Sequence, residues 1–475
     1  MRPSRLADFG KGFARDHVFW ALVLLLVAAF AMGGSSRDDA TSLIFLRPLA
    51  VLLLAVGLAG LTREQLAAFR LPLGLMAALL GLILLHLIPL PPSIWTALPG
   101  RELAVQAGVA GEIGDVWRPL ALVPWRGWNA FFAMLVPAAA LVLAIRCSAE
   151  QRRRLVTVVL VLVGASAIVG ILQAIGGFQE KFYLYRIANV GAPSGLFANR
   201  NHQAALICAA LPLLAVYATR AVRANMPKVR LWAAALAGCL LLLVLLATGS
   251  RAGLVLAFPA LLAAALIYAS SDRGKRPATR SMIWIALGVL GVALVAVVAI
   301  LWSRADAVDR ILNIRADENR FETWGPIAAM IGQYLPFGSG IGSFVEVYKI
   351  GEPTALLNQS YLNHAHNDWL EWILEGGVPV AILIAAALFG WGRQALRLWN
   401  RRREGDGEWR LALAAAAMLF VLGAASLVDY PLRVPSIACV FAIAAVWLAY
   451  GVERRKTSVA NEGSKDRTDS PTRAG

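Results

Sequence analysis

Residues 231–270 read LWAAALAGCLLLLVLLATGSRAGLVLAFPALLAAALIYAS. Their one charged side chain, Arg251, falls at the break Thr248-Gly249-Ser250-Arg251-Ala252-Gly253 between two apolar runs. Each run is long enough to cross about 30 Å of hydrocarbon as a helix. No water is available there to pair backbone amides, so a helix, which pairs its own, is the form such a run takes. The stretch therefore reads as a transmembrane hairpin with an arginine at its tip.

The pattern repeats along the 475 residues, of which 59% are hydrophobic and 16% charged, with mean hydropathy +0.65. A soluble domain carries about 25% charged residues, so a soluble enzyme is excluded. Twelve apolar runs are found near 18–33, 41–61, 71–89, 128–146, 154–176, 203–222, 231–249, 251–270, 282–303, 378–397, 410–428 and 432–450. The predicted fold class is all-α: a polytopic membrane protein with about twelve transmembrane helices and a large outer loop, 304–377, containing short amphipathic helices. Residues 1–17 form a cytoplasmic segment, 18–451 the transmembrane domain and 452–475, rich in Lys, Arg, Ser, Thr and Asp, a disordered cytoplasmic tail. Arg2 to Arg15 followed by the first apolar run also fits a cleaved signal peptide, which would leave every later span in place.

Orientation follows from the basic residues. Of 45 Lys and Arg, 30 fall in the segments on the side of the N-terminus and 14 on the other, with Arg47 inside a span. The excess marks the cytoplasmic side and puts both termini there. It also accounts for the net charge of +16 as a basic surface against anionic lipid rather than a nucleic-acid site. Trp95, Trp125, Trp128 and Trp302 at outer span ends, and Trp20, Trp232, Trp284 and Trp409 at inner ones, match the interfacial preference of indole. Cys147, Cys208, Cys239 and Cys439 show no paired spacing, so neither a disulfide nor a zinc site is expected.

Three outer loops, 90–127, 177–202 and 304–377, are long enough to carry function. Four of the five histidines, His86, His202, His364 and His366, map to this side. In the largest loop Arg320, Phe321, Trp324, Ile327, Ala328 and Ile331 recur at helical spacing, Pro336 stops the helix, and Gly338-Ser339-Gly340-Ile341-Gly342 makes a flexible turn. The stretch from His364 to Gly377 reads as a short helix ended by Gly376, with Asn367, Asp368, Glu371 and Glu375 on one face and Leu370, Ile373 and Leu374 on the other. His366 then stands at the helix N-terminus, where the dipole favours a neutral, proton-accepting imidazole; a simple cap by His366 and Asn367 is the plainer reading. His364, His366 and Asp368 supply H-x-H without a clear further ligand, so no metal site is expected.

Arg251 lies one or two residues from hydrocarbon, where a cation needs an anionic partner or must reach the headgroups. Arg200, in Phe197-Ala198-Asn199-Arg200-Asn201-His202, precedes the sixth span after bends at Gly191, Pro193 and Gly195. Arginine forks suit phosphate oxygens, and a nearby neutral histidine suits proton abstraction from a hydroxyl. Together they fit transfer of a sugar from a lipid diphosphate.

Thr248 to Gly253, the loop helix at Arg320 and Trp324, the Gly338 to Gly342 turn, and His366-Asn367-Asp368-Trp369-Leu370-Glu371 before Gly376-Gly377 resemble the O-antigen ligase and polymerase family. The resemblance covers about 235–395, and Phe197 to His202 is similar to an upstream motif of its members. It implies a C-type glycosyltransferase fold in the bacterial inner membrane, with a periplasmic, metal-independent site and no cofactor. Its donor would be an undecaprenyl-diphosphate-linked glycan. The acceptor would be a glycan chain, a lipid A core or a protein, and the partners membrane lipid and polysaccharide assembly proteins, not nucleic acid. It carries diphosphate binding onto Arg200 and Arg251 and acceptor activation onto His366, with His202, Arg320, His364, Asn367, Asp368 and Glu371 as auxiliaries; His364 departs from the pattern as a second imidazole. The alternative from another class is a transporter or flippase of lipid-linked sugars.

Overall fold

A computed structural model describes residues 16–177, 179–221, 227–270, 315–357, 361–400 and 407–468. The described residues are mostly helical. The apolar helices begin with α1 (His17–Met32) and α2 (Leu43–Leu58), followed by the short α3 (Arg63–Ala68) and then α4 (Arg70–Leu87). The next connection carries α5 (Pro92–Trp95) and α6 (Glu102–Ala110), and a two-residue antiparallel pair, β1 (Pro89–Leu90) with β2 (Arg118–Pro119), closes its base. Then come α7 (Pro124–Arg146), α8 (Ala149–Ile175), α9 (Arg200–Ala221), α10 (Pro227–Thr248) and α11 (Arg251–Ala269). The segment between α11 and α14 holds α12 (Arg315–Tyr334) and α13 (Phe344–Gly351), and the described chain finishes with α14 (Asp368–Asn400), α15 (Gly407–Ala425) and α16 (Pro435–Thr468).

Among the described residues eight helices are long and apolar enough to span a bilayer, and three shorter ones, His17–Met32, Leu43–Leu58 and Pro435–Gly451, are apolar. Eleven of the twelve expected runs thus become helices; the run at 282–303 lies outside the described residues. The first two are 16 residues each, or about 24 Å at 1.5 Å per residue, which matches the expected run at 18–33 but is shorter than the one at 41–61. Gly33 ends α1, packed so tightly that an added Cβ would lie 2.8 Å from Pro435. At the end of α2 the Arg146 guanidinium takes the Val56 and Gly57 carbonyls at 2.6 and 3.4 Å. The last helix runs past Gly451 to Thr468, through Glu, Arg and Lys residues that favour helix, into the segment expected to be a disordered tail.

The main core lies where α9 is enclosed by α8, α10, α11 and α15. It is built from small residues, with Ala204, Ala205, Ala209 and Ala210 on α9 and Ala412, Ala414 and Ala415 on α15 buried. Small side chains let helices approach closely, which is what holds them together where the solvent is itself apolar. At Gly253 a Cβ would stand 2.6 Å from that of Ala204, and the Cys208 thiol reaches the Gly253 carbonyl at 3.2 Å.

A second, smaller core folds the described part of the segment between α11 and α14: Ile327 and Met330 of α12, Phe344, Val345, Val347 and Tyr348 of α13, Ala365, and Leu374 of α14. Helix α12 is the expected amphipathic helix, stopped before Pro336. Its packed stripe is Thr323, Ile327 and Met330, while Phe321, 60% exposed, turns outward and packs on Trp324.

Candidate functional site at the start of helix α14

The Gly338 to Gly342 turn is a packed joint, not the flexible turn its composition suggests. Ser339 and Gly340 donate their N–H groups to the Leu374 and Glu375 carbonyls at 3.0 and 2.8 Å, and Val378 N–H returns a bond to Pro336 at 2.8 Å. These contacts take up carbonyls that a helix end leaves unpaired. The end is at Gly377, whose φ of 61° and ψ of −150° break α14 into two helices that run on from one another. The short helix expected within His364 to Gly377 is therefore present, starting at Asp368 and broken at Gly377 rather than ended by Gly376, and a further helix follows it directly.

The cap is Asn367. Its side-chain oxygen accepts the N–H groups of Trp369 and Leu370 at 3.1 and 3.2 Å. His366 precedes it with φ 48°, a conformation uncommon outside glycine.

The charged face of this helix is buried. Asp368, Glu371 and Glu375 recur at spacings of three and four, and all three meet Arg433 from the short connection between α15 and α16, at 3.0, 3.1 and 3.4 Å. Burial works against the Arg433 charge, but the three carboxylates raise its pKa above the ordinary value; its guanidinium also lies 5.1 Å from the centroid of the Trp372 ring. Ser426 donates to the other Asp368 oxygen at 3.1 Å. Glu371 holds His364 Nδ1 at 2.9 Å and the Ala365 N–H at 2.7 Å. Burial, then Arg433 and His366, hold the His364 imidazole well below its usual range, so it is a neutral partner of Glu371.

The second carboxylate centre is Asp429. Asn199 and Asn201 donate to its Oδ2 at 3.3 and 2.7 Å, and the Tyr430 N–H to Oδ1 at 2.9 Å. His366 Nδ1 lies 3.4 Å and His202 Nε2 3.8 Å from that same Oδ1. Burial alone would raise this carboxyl, yet the two imidazoles hold it well below the usual carboxylate range. Tyr430 sits among three imidazoles, with ring centroids 5.0 Å from His202, 4.4 Å from His364 and 4.9 Å from His366. His364, His366 and Asp368 thus turn to separate partners: Glu371, Asp429 and Arg433.

The loop before α9 supplies both asparagines and Arg200. It is fixed from α8, where Gln173 binds the N–H and carbonyl of Gly195 at 2.9 and 3.0 Å and Ser166 accepts from Leu196. Arg200 donates its backbone N–H to Asn189. Its guanidinium reaches toward the hairpin tip, with Nη1 3.9 Å from where a Cβ on Gly249 would stand. Arg251 is the exposed first residue of α11, behind the Ser250 cap. Arg200 thus stands between the hairpin tip at Gly249, two residues before Arg251, and Asn199 and Asn201, which hold Asp429 beside His366. Arg320 lies in α12, but its side chain is outside the described residues. His86 is buried at the end of α4 and takes no part in the cluster.

Sequence reasoning missed Asp429 and Arg433. The available signal was Asp429-Tyr430-Pro431-Leu432-Arg433, two opposite charges in a connection of a few residues between apolar runs, where each charge needs a partner.

Residues 236–385 match the family model described as O-antigen ligase. This segment begins in α10, includes the Arg251 hairpin, α12, the glycine joint and His366, and ends in the second part of α14. The match bears out the resemblance drawn from the motifs. No curated protein matches the chain.

Proposed function

We propose that the protein is a periplasm-facing glycosyltransferase of the O-antigen ligase or polymerase type. It moves a glycan from undecaprenyl diphosphate to an acceptor hydroxyl without a metal ion. The O-antigen ligase match supports transfer over transport. The observation that carries the reading is the pairing of His366 with Asp429, whose other partners flank Arg200.

Asp429, kept anionic, fixes the His366 ring through Nδ1 and leaves Nε2 to take a proton, the base-and-orienter arrangement that activates a hydroxyl. The acceptor oxygen attacks the anomeric carbon and its proton passes to His366. The bond from that carbon to the diphosphate oxygen breaks, with its electron pair leaving on the diphosphate. Direct attack inverts the anomeric centre. Arg200 and Arg251 bind the diphosphate, their planar forks matching its oxygens. The buried Arg433 network holds the helix that presents His366.

The test uses full-length protein in lipid nanodiscs with lipid-linked donor and acceptor. Arg200→Ala and Arg251→Ala should each abolish transfer with normal membrane abundance, and Lys should restore only part because it lacks the fork. His366→Ala should lose about 10²- to 10⁴-fold in turnover. Full activity of Arg251→Ala would leave that arginine at the headgroups and remove it from the site.

A further inference from the structure

His202 has no role in the reaction as written. It is 1% exposed on α9, and neither ring nitrogen has a hydrogen-bond partner. An imidazole that only filled this space would leave two buried polar atoms unmatched, at a cost an apolar side chain would avoid. Its surroundings give it a direction: the Tyr430 ring meets it edge-on at 77°, and its Nε2 faces Asp429 Oδ1.

Asp429 explains why that direction matters. A carboxylate offers about four acceptor positions. Asn199 and Asn201 take Oδ2, and the Tyr430 N–H takes one position on Oδ1. Two imidazoles, His366 at 3.4 Å and His202 at 3.8 Å, face what is left of Oδ1. What one donates to this oxygen reduces the negative charge the other feels.

We propose that His202 is a positioning residue for the base: its Nε2–H is directed at Asp429 Oδ1 from 3.8 Å, so that this oxygen answers to both imidazoles and His366 is oriented by the carboxylate without being locked as its ion-pair partner. This rests on the reading of His366 as the base. The other titratable or charged groups around His366 are His364 and Glu371 from its own side, and Tyr430 and Arg433 from the connection before α16. Arg433 is already engaged with three carboxylates and His364 with Glu371, which leaves His202 as the group shared through Asp429.

Without the His202 donor the full charge of Asp429 falls on His366, which then holds a proton more strongly and is released as a base only at higher pH. The experiment is the pH dependence of kcat/KM for glycan transfer by the full-length protein in nanodiscs. It compares the wild type with His202→Phe, His202→Asn, His202→Gln and His366→Ala. A glutamine amide occupies the place of Nε2 and an asparagine amide that of Nδ1. The acid limb should therefore move up by roughly one pH unit in Phe and Asn and stay near the wild-type position in Gln, with similar rates on the alkaline plateau. A uniform loss at every pH, or Asn and Gln profiles that both overlay the wild type, would overturn the role of His202. Asn carries the comparison if Phe does not accumulate. Retained transfer in His366→Ala would instead remove the base reading itself, a failure visible without any His202 variant.

Discussion

At the residue scale the least replaceable side chain is Arg433. Asp368, Glu371 and Glu375 are each at most 2% exposed and share this one guanidinium. Removing one member of a buried charged set leaves the others uncompensated, a loss of about 3–5 kcal/mol. Arg433→Ala should therefore lower the melting midpoint in detergent sharply and reduce membrane abundance. Arg433→Lys should recover only part, since one ammonium cannot serve three carboxylates with a fork's geometry. An unchanged midpoint in Arg433→Ala would show that the network does not hold the fold. The sequence made His366 and the face Asn367, Asp368, Glu371 legible because local helical spacing defines them. Their partners were not legible: Arg433 stands 65 residues from Asp368 and 58 from Glu375, and no local periodicity links them. Arg433 alone resembled any cation at a span end, and Asp429 became meaningful only beside the imidazoles that face it.

At the scale of elements, the joint between the glycine turn and the break in α14 sets where the site stands. A Cβ on Gly377 would lie 2.2 Å from the Pro336 carbonyl oxygen, and one on Gly338 2.4 Å from that of Glu375. Both obstacles are backbone, and both glycines have positive φ, 61° and 83°. Gly377→Ala and Gly338→Ala should each cost more than about 2 kcal/mol, from strain and clash together. Gly325→Ala on α12 meets nothing within 4 Å and should be neutral or stabilising by up to about 1 kcal/mol, as alanine is in a helix interior. Melting midpoints of the three variants check the contrast; equal shifts would mean that the joint yields. Composition marked this stretch as a turn but could not tell a loose one from a packed one, because the contacts come from Ala121, Arg126 and Glu375. In α12 the 3.6-residue pattern gave the helix but not which edge of the apolar stripe meets the core. Phe321 shares the helical spacing yet is exposed, and Thr323 stands in the packed stripe.

For the whole molecule, hydropathy alone made most of the architecture legible, since a bilayer permits few forms for an apolar run. What it left open is sidedness, which rests on the excess of basic residues at one end of the bundle. The same end carries a cluster in the described residues that an inner surface would explain: Arg152 is buried between the Phe69 and Tyr450 rings and takes the last carbonyls of α7, while Arg153 and Arg154 pair with Glu408, Asp16 and Glu150. Positively charged span ends of this kind are favoured in the cytoplasm, and the proposed function takes this end as the inner one, with His366, Arg200 and Arg251 on the periplasmic side, where a lipid diphosphate donor of exported glycan would be met. The check needs one position at each end of the bundle. In a chain with Cys147, Cys208, Cys239 and Cys439 replaced, single cysteines at Ala110 on α6 and Glu150 on α8, both exposed, should label differently with an impermeant thiol reagent in cells with a permeabilised outer membrane. Position 110 should react at once and position 150 only after the inner membrane is opened. The opposite order would turn the site toward the cytoplasm and remove the periplasmic donor from the proposal, while leaving the geometry of His366 and Asp429 to serve a reaction on the other side.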